Sequence, residues 1–338
     1  LIQEMLMFRW IIAAFLTMAA GFSWIGTPMA AEYNLKMQTY YSPTTAVAAK
    51  FFADQVEKLT NGKVKVQVFT GGELVDSNNI LKSVRNGMID IGQGMGHHFT
   101  ERKSGQVESG LPFAWMSPEE ADEIYEKRSL RNIVGDEYKK LGVVYLGPVF
   151  AAPSNALSKQ PIRSLDDMKK MKIRAVGGNA KLLSSLGVNV VNMPVEDIYM
   201  GLTTGQVDGV VYGSAGEYKE NKWYEAAPWL NVTPFIDPIT DTLIINKKVW
   251  DKMPKDIRDA IQTAANDTKM AYYNWADEET QKAKREIFKD KMSAFSDADQ
   301  KKMVQSAEKL WEEQAKKSDD ARKGVEILRE YAKSKGRL

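Results

Sequence analysis

Arg174 is the residue of this chain best placed to do chemistry. It lies in Met171-Lys172-Ile173-Arg174-Ala175-Val176, a short β-prone segment, and Gly177-Gly178 follows at once. An arginine where a strand hands over to a helix through glycines is placed to meet an anion. The plain alternative is a solvated charge at a strand end. His97 and His98 are the only histidines. Adjacent side chains diverge on a helix or strand, and a zinc centre needs a third ligand and a nearby base that this stretch does not supply. Gly92-Gln93-Gly94-Met95-Gly96 carries part of a dinucleotide-loop pattern but not the whole of it. The absence of cysteine excludes disulfides, thiolate nucleophiles and Cys-ligated zinc. No catalytic constellation emerges, so binding is expected rather than turnover.

The elements around Arg174 read as strand, glycine turn, helix, strand, helix, strand: 171–176, 179–186, 188–193, 195–204 and 210–214. That alternation predicts α/β architecture. An earlier stretch has the same grammar, with strands at 35–40, 64–69 and 88–92 and helices at 46–59 and 78–85. The two stretches align without a gap from Ile80 to Asp90 over Ile198 to Asp208. In each, a helix ends at a glycine (Gly87, Gly205) able to take the left-handed conformation, and an Asp leads into a buried strand. Each copy also has a glycine pair upstream, Gly71-Gly72 and Gly177-Gly178. Two distant copies predict two similar α/β lobes rather than a solenoid. Ligands of open α/β sheets bind at the carboxyl ends of the strands, so facing lobes form a cleft. Segments 151–164 and 235–246 read as the crossings, 117–141 as a helix capped by Ser117-Pro118, and 254–292 as one long helix bracing both lobes.

The bulk properties agree with a soluble binding protein. The 338 residues carry 46 basic and 44 acidic side chains. That balance gives no field favouring nucleic acid or anionic membrane. Arg9 precedes an uncharged, mostly apolar run, 10–26, and Pro28-Met29-Ala30-Ala31 closes it with mostly small residues. This is the order of a secretory signal, and it predicts cleavage near residue 31 and export to the periplasm.

Taken together, the motifs resemble one family: the extracytoplasmic solute receptors of tripartite ATP-independent periplasmic (TRAP) transporters. They are Phe51 to Val56, Thr60-Asn61-Gly62-Lys63, Gly71-Gly72-Glu73-Leu74, Val84 to Asp90, Ser164-Leu165-Asp166-Asp167 running on to Arg174, and Met193 to Gly209. The resemblance spans nearly the whole chain after the signal. It implies a two-lobed periplasmic binding protein of type II-like fold with a hinge and an inter-lobe cleft. Residues 32–152 with 243–276 would form lobe one, and 153–242 lobe two, with 277–338 packed outside it. It further implies a receptor, not an enzyme, that closes on a small organic acid and hands it to the membrane subunits of a TRAP transporter. A receptor that closes and signals to a sensor kinase is the alternative.

In this family the arginine matching Arg174 holds the substrate carboxylate. The chemistry suits it, because a planar guanidinium meets a carboxylate through two parallel hydrogen bonds. After Asp208-Gly209 the chain departs from the Gln-Glu-Asn-Pro that many members carry, reading Val210-Val211-Tyr212-Gly213. A wall of two valines and a tyrosine predicts a monocarboxylate with an apolar or aromatic body, not the family's dicarboxylates or sialic acids. The candidate ligand-binding residues are Arg174, Tyr212, Gly213, Ser214, Asn155 in the first crossing, His97 (with His98 as the alternative) at the cleft mouth, and the aromatics Tyr41, Phe113, Phe150 and Phe235. Glu217 reads as a surface carboxylate. Some members bind a 2-oxo or 2-hydroxy acid with a metal ion, for which Asp237 and Asp241 would be the oxygen donors; without a denser cluster no metal or cofactor is expected.

Overall fold

The computed structural model describes residues 31–338, so all but the last residue of the expected signal lies outside the described residues. Lobe one begins with β1 (Tyr33–Thr39), α1 (Val47–Leu59), β2 (Val64–Phe69), α2 (Ile80–Asn86), β3 (Ile91–Gly94), α3 (Leu130–Lys140) and β4 (Val143–Phe150). After the crossing come β5 (Ala156–Ser158), β6 (Lys172–Arg174), α4 (Gly177–Ser185), β7 (Asn189–Val191), α5 (Ile198–Thr204), β8 (Gly209–Val211), α6 (Ala215–Glu220) and β9 (Trp229–Asn231). The chain returns through β10 (Thr240–Asn246) to α7 (Lys255–Thr268) and α8 (Ala271–Glu286). It ends with β11 (Met292–Ser293), α9 (Asp297–Ala315) and α10 (Asp319–Ser334).

Two sheets result, ordered β2-β1-β3-β10-β4 and β7-β6-β8-β5-β9-β11. Their first five strands follow one plan. The first three are parallel, and the fourth, supplied by a crossing, runs antiparallel to both neighbours. The repeated motif has a structural meaning. The Asp90 carboxylate accepts from the Lys36 N–H at 2.8 Å, and the Asp90 N–H donates to the Lys36 carbonyl at 2.9 Å. Asp208 does the same with Lys172, at 2.9 and 2.7 Å. Each aspartate thus zips the start of β3 or β8 to its neighbour β1 or β6. Gly87 and Gly205 close the preceding helices at φ of 79° and 78°, a conformation that costs a side chain dearly.

This register corrects one expectation. Gln38 pairs with Gly92 and Arg174 with Val210, which makes Gln38 the lobe-one counterpart of Arg174. Gly177-Gly178 therefore follows β6, the counterpart of β1, whereas Gly71-Gly72 follows β2. The two glycine pairs are not equivalent, because sheet register rather than sequence spacing fixes the correspondence. Gln38 is occupied structurally: its amide donates to the carbonyls of Thr39 and Thr70 and accepts from the Leu74 N–H. At the same place lobe two carries a permanent charge.

Three expected helices end or break sooner than their periodicity suggests. Segment 117–141 is interrupted at Ser129, φ 66°, and 195–204 opens with a 3-10 turn before α5. The single helix expected over 254–292 is two, α7 and α8, separated at Lys269-Met270. The break is used, because the Lys269 carbonyl accepts the Phe150 N–H at 2.7 Å, tying the end of β4 to the joint. α7 packs on α1 and β4 of lobe one, and α8 reaches from there to α6 of lobe two, so α8 is the brace. The tail expected against lobe two touches both lobes: α9 lies on α4, and α10 lies on α3, with Lys140 paired to Asp320 at 2.7 Å.

The brace depends on one small residue. A Cβ on Gly216 would lie 2.8 Å from the Glu279 Cβ and 3.0 Å from the Thr280 nitrogen, and the Gly216 N–H donates to Thr280 Oγ1. Gly216→Val is expected to push α6 off α8 and cost about 1–3 kcal/mol, the usual range for overpacking. Thermal unfolding at wild-type temperature would contradict this account of the joint.

Candidate ligand-binding site

Both lobes present the carboxyl ends of their parallel strands to the inter-lobe region. Lobe one offers Tyr40-Tyr41 after β1 and the turn Gly96–His98 after β3; lobe two offers Ala175 to Gly178 after β6 and Tyr212 to Ser214 after β8. The lobes approach closely. A Cβ on Gly177 would stand 3.3 Å from Gln106 Nε2 and 3.5 Å from the His97 ring, and one on Gly178 would stand 3.0 Å from Gln106 Oε1. Gly177 has φ +58°. This glycine pair lets the start of α4 meet lobe one.

Arg174 ends β6 and is 2 % exposed. Its Nε donates to the Met193 carbonyl at 3.0 Å, and its guanidinium carbon lies 5.9 Å from the Tyr212 ring centre. Tyr212 is half-buried and packs edge-on against Trp223 at 5.3 Å. Its phenol is raised, first by burial and then by Glu217, while Arg174 opposes the rise. Across the cleft, burial and then the charge of Arg174 hold the His98 imidazole down at about 4. Arg174, Tyr212 and His98 therefore share one locus built from both lobes.

Two buried carboxyls complete it. Asp241, the second residue of β10, accepts from the Tyr40 hydroxyl at 2.8 Å and from Gln93 Nε2 at 3.0 Å. Burial is the largest influence on it and carries its pKa up to about 7. Glu217, on α6, accepts from the Tyr272 hydroxyl at 2.9 Å and the Ser214 N–H at 2.8 Å, and burial raises it too. Tyr41 stacks on Tyr272 at 4.5 Å, joining lobe one to the brace. Glu217 is 4 % exposed, not the surface carboxylate expected. The capping-box spacing Ser214-x-x-Glu217 was the signal that would have placed it at a helix start.

The other expected residues separate by role. Asn155 is buried; its N–H donates to the Gly213 carbonyl at 2.9 Å and its carbonyl accepts from Tyr218 at 2.7 Å. It pins the first crossing to the end of β8. Gly213 is a position with no room for a side chain, since the Glu217 carboxylate occupies the place of its Cβ. Ser214 is fully buried at the start of α6. Phe150 lies in the lobe-one core beside Tyr125. Phe113 and Phe235 pack together in a lobe-two core, with the Phe113 N–H donating to the Phe235 carbonyl. These three rings are not brought to Arg174. Val210 and Val211 alternate into two different apolar cores, as side chains of a strand must. The wall of two valines is thus core, and Tyr212 is the member of that trio whose ring faces the guanidinium. Of the residues gathered here, His98 was expected with His97 at the cleft mouth, whereas Tyr40, Gln93 and Tyr272 carried no signal of a site role. Among the described residues, no group of three or more His, Asp or Glu side chains is arranged to hold a metal ion.

Two lobes of one plan, joined by crossings and a bracing helix with a cationic strand end between them, define a solute-binding protein of the two-lobed class. The chain belongs to family 7 of the bacterial extracellular solute-binding proteins (DctP), whose profile matches residues 38–318. This is the family of TRAP solute receptors, which are transport receptors rather than enzymes and act with membrane components of the transporter. Among curated relatives, a monocarboxylate 2-oxoacid-binding periplasmic protein of Nostoc sp. is 25 % identical over 243 residues, 69 % of this chain and 65 % of its own length. The 2,3-diketo-L-gulonate-binding periplasmic protein of Escherichia coli is 24 % identical, over 73 % of this chain and 76 % of its own. A TRAP solute-binding protein from Chromohalobacter salexigens, solved with bound (S)-2-amino-1-propanol, superposes with a TM-score of 0.82. It is 22 % identical, over 90 % of this chain and 96 % of its own, a likeness of fold. The chain is thus a solute receptor of an extracytoplasmic family. Among the described residues no helix is long and apolar enough to cross a membrane.

Proposed function

We propose that this chain captures a monocarboxylate with an apolar or aromatic body in the periplasm and delivers it to the membrane subunits of a TRAP transporter. Arg174 takes the carboxylate, and Tyr212 and Tyr40 offer ring surface to the body. The observation that carries this reading is the sign of the neighbouring ionisable groups. The acidic groups coupled to the Arg174–Tyr212 locus are Asp241 and Glu217. A second carboxylate on the ligand would meet two buried acids, both already raised by burial, rather than a cation, and nothing there would offset its own desolvation. The Nostoc relative, named for monocarboxylate 2-oxoacids, supports the single carboxylate. Closure follows from binding, because a ligand that touches both lobes raises the closed population by its differential affinity for that state.

A thermal-shift screen of benzoate, phenylacetate, indole-3-acetate, pyruvate, succinate and malate tests the ligand class, run with and without calcium. Aryl or indolyl monocarboxylates are expected to raise the melting temperature most, and calcium is expected not to matter. Stabilisation by the dicarboxylates alone would overturn the proposal, and calcium-dependent stabilisation by pyruvate alone would replace it with a metal-assisted 2-oxo acid receptor.

A further inference from the structure

We infer that His98 is a specificity residue of lobe one, a neutral imidazole that hydrogen-bonds the same ligand carboxylate that Arg174 holds from lobe two. The inference rests on the carboxylate reading above and deepens it. His98 closes the 3-10 turn after β3, with its N–H donating to the Met95 carbonyl at 2.9 Å. That turn lies at the carboxyl end of a central parallel strand, where α/β sheets receive ligands. The ring meets Tyr40 edge-on at 5.5 Å and His97 at 4.6 Å. Tyr40 is itself held by Asp241, so the imidazole has a fixed wall behind it. Its Nδ1, like that of His97, is buried and has no hydrogen-bond partner. A buried polar atom left in that state calls for an explanation, and a ligand is one.

The electrostatics choose the ligand atom. The His98 ring lies 4.6 Å from that of His97, which abuts Gly177 just past Arg174, so the two side chains flank one space, and the charge of Arg174 acts on His98 across it. Beside a permanent cation the imidazole stays neutral, with one N–H donor and one acceptor nitrogen. A carboxylate only accepts, so the N–H is what it would take, while Arg174 supplies the charge. His97 is a different case. Its ring lies against Gly177 at the start of α4, and the group that acts on it electrically is His98 rather than Arg174. With donors on both lobes, one carboxylate would draw the lobes together, and a primary amide or alcohol would fit neither partner as well.

With only two histidines, both imidazoles can be assigned in spectra of the full chain by comparison with His97→Gln. Acetate, the minimal carboxylate, is the probe, with acetamide and sodium chloride as controls, and 15N-labelled histidine and arginine side chains are followed by NMR. Acetate, but neither control, should move the His98 and Arg174 signals together and leave His97 nearly still. His98→Leu should weaken acetate about five- to tenfold, the worth of a net hydrogen bond, and His98→Gln should recover part of that loss. A still His98 signal beside a moving Arg174 signal would overturn this inference and leave the anchor standing. If neither moved, the carboxylate reading would fall and this inference with it. His98→Leu binding acetate as wild type does would also overturn it.

Discussion

Arg174→Ala is expected to weaken binding of the acid ligand by a hundredfold or more, measured calorimetrically, while the two-lobed fold persists. The guanidinium is 2 % exposed and is oriented by its Nε bond to the Met193 carbonyl. A charge fixed before the ligand arrives loses little entropy on binding. Removing one member of a buried, hydrogen-bonded charge pair costs roughly 2–5 kcal/mol, much of it the penalty of burying the other charge alone. Arg174→Lys separates charge from geometry. An ammonium keeps the charge but cannot present two parallel donors, so its affinity should fall between wild type and alanine. The fold should survive because Arg174 is the last residue of β6, whose pairing with β7 and β8 is made by backbone. Wild-type affinity in the alanine variant would remove the anchor from Arg174. Loss of folding would show the side chain to be structural instead.

Asp241→Asn is expected to stabilise the protein at pH 7.5 and to change it little at pH 4. In the folded chain the carboxyl titrates at about 7 rather than 3.8, with burial the main cause. The folded state therefore holds a proton that the unfolded chain releases. Below pH 4 both states are protonated and nothing is lost; as pH rises from 4 to 7 the unfolded state gains and stability falls. At about 1.4 kcal/mol per pH unit, the whole displacement is worth on the order of 4 kcal/mol. An amide removes the titration while keeping an acceptor for Tyr40. Gln93 and Thr39 can reverse their own hydrogen bond to suit it, since an amide and a hydroxyl each donate and accept. Glu217, raised in the same direction, leaves a residual slope in the variant. Urea unfolding at the two pH values reads the difference, and an Asp-to-Asn effect independent of pH would contradict the assignment.

Much of the scaffold was legible because it is written locally. Alternating strands, left-handed glycines and the Asp90 and Asp208 turns are spaced by backbone geometry, and two copies of the grammar foretold two sheets of one plan. Arg174 was legible for the same reason, as a charge at a strand-to-glycine handover. What escaped was how lobe one's share of the cleft is assembled. Tyr40, His98 and Asp241 are far apart in the chain and meet only because β1, β3 and β10 lie side by side. The break at Lys269-Met270 carries no proline or glycine; its reason is a hydrogen bond to Phe150, over a hundred residues away. The valines misled because a strand's alternation sends each to a core whatever follows the strand. Under the proposed function, substrate choice rests less on the departure after Gly209 than on the groups lobe one sets opposite Arg174.

The most direct test of carboxylate capture is a calorimetric titration of the wild-type chain with the most stabilising monocarboxylate from the screen and, separately, with its primary amide. The two differ by one charge and little in shape. Capture by Arg174 predicts one-to-one binding of the acid and at least a hundredfold weaker binding of the amide; equal affinity for both would contradict it.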